Sequence, residues 1–195
     1  MVKIDTILGI LSRQIASCKR CPLYKTANHS VPGEGSSQSS IVFVGEAPGR
    51  KEDETGRPFV GRAGKLLEYL LHSINLRRKD VFITSILKHR PPKNRTPKPQ
   101  EIKACSYWFV KQIAIIQPKL IIPLGRFGLE FFLPHAKITQ VHGTIKEIPG
   151  NRGLRIFPMF HPAAGLRSLK RKKILFDDFQ ILKHVLDNEH FSLSH

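Results

Sequence analysis

Carboxylates are scarce in this chain. Its 195 residues carry 15 Asp and Glu against 32 Lys and Arg, a formal net charge of +17 and a pI near 10.2. Such an imbalance speaks to partners rather than to fold, and polyphosphate backbones are the commonest partner of so basic a surface. A solvated basic surface with no partner is the alternative. Long apolar runs and a basic amphipathic N-terminus are both missing, so no membrane association is expected.

Cysteine is scarcer still. There are three, and two of them form a C-x-x-C at Cys18 and Cys21. An odd count does not suit a disulfide framework, and in a reducing compartment this spacing favours a metal or cofactor. The N-terminal segment lacks signal-peptide architecture; Ile4, Ile7, Leu8, Leu11 and Ile15 recur at helical spacing instead. An intracellular protein is therefore expected. Internal repeats and dividing linkers are absent, and the length suits one domain, 1–195, with a full core.

What is present alternates. Short β-branched runs at 41–45, 81–86, 119–124 and 155–160 read as strands covered on both faces. Helical patterns fill 63–75, 99–116, 126–132 and 171–187, and Pro99 with Gln100 and Glu101 is good helix-start chemistry. This order predicts an α/β fold, a three-layer α/β/α sandwich around a mostly parallel four-stranded sheet. In such sheets ligands bind outside the carboxyl ends of the strands, where the loops 45–62 and 86–98 emerge.

The first of these loops, within "VFVGEAPGRKEDETGRPFVGRAGKLL", begins like a phosphate-binding loop, with a strand running into glycines. No Gly-Lys-Ser/Thr closes it, and Glu46, Glu52, Asp53 and Glu54 are poor neighbours for a phosphate. Three further motifs follow in order: "RPPKNRTPKPQEIKAC", "FHPAAGLR" and, upstream, the C-x-x-C. Taken together over roughly residues 10–185, they resemble family 4 uracil-DNA glycosylase, the iron–sulfur branch of its superfamily. The resemblance implies an α/β/α fold, a four-iron four-sulfur cluster, and removal of uracil from DNA to begin base excision repair. A monomer is expected.

For the cluster, the resemblance implies Cys18, Cys21, His89 and Cys105 as ligands, with His89 standing where most members have cysteine. Histidine replaces thiolate in Rieske centres, usually raising the potential. On ligand chemistry alone, a Cys3His zinc site fits the same residues. A third possibility leaves His89 in a surface loop and Cys105 as a buried thiol. A covalently DNA-binding branch also carries histidine here, but its Lys-Arg-Arg-Ile-His insert is absent after Pro92, so its covalent chemistry is not expected.

For catalysis, the base must leave the duplex and enter a pocket. By the resemblance, Phe59 stacks on the base, and Glu46 shapes the pocket and lends its backbone. Ala47 occupies the position where other branches have a catalytic Asp. Glu52 then orients or activates the water with help from Asn94, and His161 donates to uracil O2. Asp53 and Glu54 cap a loop or face solvent. Leu166 wedges into the gap left by the flipped base, while Arg167, Lys170, Arg171, Lys172 and Lys173 bind flanking phosphates. One departure stands out. Family members usually place Asn at the position held here by Ser85, and that amide reads the uracil edge. A hydroxyl has one rotatable donor where an amide has two fixed ones. Weaker uracil activity or tolerance of another deaminated base, such as hypoxanthine, is the consequence. A DNA-binding module with little glycosylase activity is the alternative that Ser85 favours.

Overall fold

The computed structural model describes residues 4–148 and 151–188. It contains helix α1 (Ile4–Ala16), strands β1 (Glu34–Gly35) and β2 (Ile41–Gly45), helices α2 (Arg50–Thr55) and α3 (Arg62–His72), and strand β3 (Phe82–Ser85). Helix α4 (Pro99–Ile116), strand β4 (Leu120–Pro123), helices α5 (Gly125–Phe132) and α6 (Ile138–Val141), strands β5 (Lys146–Ile148) and β6 (Asn151–Ile156), and helices α7 (Pro162–Gly165) and α8 (Leu169–Asn188) follow. The sheet order is β1-β3-β2-β4-β6-β5. The inner four strands are parallel, and β1 and β5 close the two edges antiparallel.

The expected α/β architecture is present, with six strands rather than four. Three of the inner four are the hydrophobic runs read from the sequence; the fourth, β6, starts earlier than the run expected at 155–160 and shares only Arg155 and Ile156 with it. The two added strands are only two and three residues long, and β5 is largely exposed. Neither has an apolar run to announce it; each forms because a neighbouring edge offers unpaired N–H and C=O groups.

Alternation along β2 explains the layers. Ile41 and Phe43 join one core with Leu66, Leu67 and Leu70 of α3 and Leu175, Phe179 and Leu182 of α8. Val42 and Val44 join the other with Leu11 and Ile15 of α1 and Trp108, Phe109 and Ile116 of α4. Successive strand residues point to opposite faces, so both faces must be apolar for the strand to be buried throughout. Each such side chain contributes about 1.5–3 kcal/mol on full burial. Helix α4 starts where the sequence indicates, with Pro99 in its first turn and the Glu101 carboxylate accepting from Lys98 N at 2.8 Å. It ends on Gln117 in the left-handed region (φ 51°).

Candidate active site and metal centre

Strands β2 and β3 end together, with Gly45 opposite Ser85. A cavity of about 270 Å³ opens beside these ends. It gathers Glu46, Ala47, Glu52, Phe59, Ser85, Asn94 and His161. The resemblance implies base-binding or catalytic roles for all seven, and the fold brings them into one cavity.

Phe59 sits on a strained backbone, with φ 50°. A bulky residue in the left-handed region costs on the order of 1–3 kcal/mol and persists only where its surroundings hold it. Two glycines make room. A Cβ on Gly64 would lie 1.8 Å from the Phe59 carbonyl oxygen, and one on Gly45 would lie 2.7 Å from the ring. Arg78 supplies the clamp, donating to Phe59 O at 3.0 Å and Pro58 O at 2.6 Å while paired with Glu34. The ring so held stacks on His161, centroids 5.6 Å apart. Neither Arg78 nor Glu34 is apparent as a site residue from the sequence.

Glu52 holds its own loop together. Its oxygens accept from Gly49 N (3.1 Å), Val60 N (2.9 Å) and Gly61 N (2.8 Å). With three backbone donors in place, about one of roughly four lone-pair directions remains for a water. Glu52 thereby ties the Phe59 loop to α2. Asp53 is buried and caps a loop, accepting from Asn28 N, Asn28 Nδ2 and His29 N. Glu54 pairs with Lys51 at the surface.

Glu46 differs from Glu52. Its carbonyl accepts from Leu87 N at 3.0 Å, so that part of its backbone is already engaged with the 86–89 loop. Burial pushes its carboxyl up to about 7, with Arg126 pulling the other way. A carboxyl poised near neutrality suits proton transfer better than one saturated with backbone donors.

His161 precedes α7 and caps it: Nδ1 accepts from Ala163 N at 3.1 Å. In the neutral ring the proton must then lie on Nε2. Burial lowers its pKa to about 4, against the Glu52 charge that raises it and with Arg167 lowering it further. At neutral pH this side chain is a neutral Nε2–H donor with a fixed tautomer. Asn94 has φ 55°, a conformation asparagine tolerates, and its Oδ1 accepts from Arg90 Nε at 2.6 Å. That leaves its amide N–H groups for the cavity. Ser85 Oγ has no hydrogen-bond partner among the described residues and lines the same cavity.

The three cysteines lie on the opposite core. All are buried, and each sulfur environment is polar despite that burial. Cys18 Sγ accepts from Trp108 Nε1 at 3.0 Å, and Cys105 Sγ from Lys88 N at 3.1 Å. Burial raises the Cys21 thiol and pushes Cys105 up to about 11, and the neighbouring cysteines raise both further. Thiolate is the form of cysteine that binds metals, and a neighbouring cation favours it. His89 is buried too, with its pKa lowered by desolvation, and it shares a cavity of about 140 Å³ with Cys18. Among the described residues no three donors converge on a single-ion site.

On the DNA-facing side as assigned from the sequence, Leu166 is exposed at the end of α7. Arg167, Lys170, Arg171, Lys172 and Lys173 are all exposed beside it, on the first turns of α8 and the loop before.

A parallel sheet covered on both faces, with a cavity at its strand ends, an aromatic shelf and a neutral imidazole donor, is the arrangement of an α/β protein that binds its ligand beyond the carboxyl ends of its strands. The chain belongs to the uracil-DNA glycosylase superfamily: the profile of that superfamily matches residues 32–180. The chain is 44% identical to the type-4 uracil-DNA glycosylase of Archaeoglobus fulgidus over 92% of both chains. It is 42% identical to that of Thermotoga maritima, over 95% of this chain and 97% of the relative. The type-4 enzyme of Sulfurisphaera tokodaii is 41% identical, over 90% and 83%.

Proposed function

We infer that this protein is a monofunctional uracil-DNA glycosylase that flips uracil out of DNA and hydrolyses its bond to the sugar, the opening step of base excision repair. The observation that carries this reading is the pairing of the strained Phe59 shelf with the tautomer-fixed His161 donor in one cavity. The C1′–N1 bond breaks with its electron pair passing to the base, which becomes anionic, while the sugar becomes oxocarbenium-like. His161 Nε2–H donates to the developing charge on uracil O2. Glu52 supplies fixed negative charge near the sugar, and preorganised charges of this kind act where transition-state charge develops. Water adds to C1′ and gives up a proton, which the Glu46 carboxylate accepts. An abasic site and free uracil result. The enzyme acts inside the cell, as a monomer whose cavity is complete within one chain.

The same reading assigns Cys18, Cys21, His89 and Cys105 to a four-iron four-sulfur cluster. The three cysteines are buried in one core and His89 shares a cavity with Cys18, which supports the assignment. When bound, the cluster would brace the segment after α1 against α4 and the loop after β3.

A single-turnover assay on a uracil-containing oligonucleotide tests the activity directly; absence of abasic product would leave a DNA-binding scaffold, the reading Ser85 favours. Selectivity is tested by Ser85→Asn. It is expected to speed uracil release and slow any hypoxanthine release, because a pocket amide leaves polar groups unpaired when the wrong base enters. An unchanged ratio of the two rates would remove Ser85 from base reading.

The pH profile tests Glu46. With its carboxyl near 7, the single-turnover rate should rise as pH increases through about 7, where the proton-accepting form appears. Glu46→Gln should abolish that limb; a limb that persists assigns it elsewhere. Stability should run the other way. The folded state holds this proton more tightly than the unfolded chain, so the contribution of Glu46 is present at acid pH and lost as pH rises from about 4.5 through about 7.

DNA affinity should fall steeply with salt, since each phosphate neutralised adds about 0.9 to the slope on duplex. Lys172→Ala with Lys173→Ala is expected to flatten the slope by roughly one to two units on that rule. An unaltered slope would move the DNA track off α8.

A further inference from the structure

Lys88 is the one lysine with no solvent exposure among the described residues. Its Nζ lies 2.7 Å from each of Thr84 Oγ1, Ser85 O and Gln112 Oε1. These three short contacts match the three N–H donors of an ammonium, with Pro32 O a fourth, more distant acceptor at 3.4 Å. Its backbone is equally committed. The Lys88 N–H donates to Cys105 Sγ at 3.1 Å, and its carbonyl accepts from Val31 N at 2.7 Å.

The partners fall into two groups. Ser85 and Val31 line the base cavity. Cys105, and His89 next along the chain, belong to the donor set. Lys88 is thus bonded to both, through separate atoms and at short distances. Interior ammonium groups are costly to desolvate, and an aliphatic residue of similar length would avoid that cost. It would also leave the Ser85 carbonyl, the Thr84 hydroxyl and the Gln112 amide oxygen without this donor. A buried acceptor deprived of its donor shifts or takes in water, and here one such acceptor is the backbone of the base-reading position itself.

We propose that Lys88 is a positioning residue that joins the donor set to the base pocket, its ammonium fixing the Ser85 wall and its backbone fixing Cys105 and Val31. The inference rests on the glycosylase reading and deepens it: the loop that carries the metal ligand His89 also sets the shape in which uracil is recognised. Lys88 touches no substrate. It acts through Ser85 and Val31, so its loss should be felt in recognition of the base more than in bond cleavage.

The test uses the cluster-loaded protein throughout and compares wild type with Lys88→Met. Readouts are the iron–sulfur absorption and iron content, inhibition by free uracil as a probe of the base pocket, and the separate effects on KM and kcat. Lys88→Met is expected to keep its iron and absorption while free-uracil affinity falls and KM rises by about tenfold, within the usual range of coupling between linked sites. The change in kcat should be smaller. Should Lys88→Met fail to fold, Thr84→Val removes one of the three acceptor contacts with the shape preserved, and free-uracil affinity should fall by about threefold on the same scale. A variant that keeps its iron and binds free uracil as wild type does overturns the proposal, whatever its melting temperature. Loss of iron in the folded variant also overturns it, since Lys88 would then serve the donor set alone. Failure of the wild type to release uracil is a different outcome and bears on the glycosylase reading.

Discussion

His161→Ala is expected to slow uracil release by about a hundredfold or more, the scale on which a single oriented donor to a developing anion is felt. Three features of the fold make the wild-type donor effective. The amide of Ala163 occupies Nδ1, so the proton stands on Nε2. Stacking against Phe59 holds the ring plane. Burial keeps the pKa near 4, so the ring is neutral wherever the enzyme works and no proton has to leave before it acts. A neutral donor also keeps its proton as the anion forms, instead of transferring it. The single-turnover rate of His161→Ala should therefore fall by the same factor at pH 6 and pH 9, and retain the Glu46 limb. Depression by less than tenfold, or a defect confined to one pH, would assign the uracil oxygen to another donor. Glu52→Ala should be comparably slow for another reason: three backbone N–H groups lose their acceptor, and the Phe59 loop loses its tie to α2.

Three of the inner four strands were legible in the sequence because buried parallel strands leave unbroken apolar runs, whereas most of the pocket was legible only through the resemblance of its motifs to a known family. What was not legible depends on direction. Spacing brings Glu52 to the pocket but does not say that its oxygens face Gly49, Val60 and Gly61. Lys88 reads as one more of 32 basic residues, and only its enclosure by Thr84, Ser85 and Gln112 distinguishes it from a phosphate contact. Arg78 and Glu34 are 44 positions apart and carry no local signal, yet together they hold the aromatic shelf. The edge strands were missed because pairing, not hydrophobicity, creates them.

Cys105→Ala is expected to give protein with little or no iron and a much lower melting temperature, while His89→Cys keeps about four irons per chain, the stoichiometry of the cluster. The asymmetry follows from position. Cys105 is buried within α4 and its sulfur accepts from Lys88 N. On the proposed ligation, removing it takes away a ligand, and it also strips that amide of its acceptor. Because a donor set of this kind is assembled only in the folded chain, the free energy of binding is also folding free energy, and losing it destabilises the whole domain. His89→Cys exchanges one accepted ligand type for another. Imidazole in place of thiolate raises the potential of iron–sulfur centres, so the cysteine variant should show the lower potential of the two. Anaerobic purification, iron and sulfide analysis, and redox titration decide the matter. Stoichiometric zinc with no iron in the wild type would replace the cluster by a single ion, and unchanged iron in Cys105→Ala would remove that residue from the ligand set. Retained iron with a lowered potential in His89→Cys would support position 89 as a ligand, since thiolate in place of imidazole lowers the potential of iron–sulfur centres.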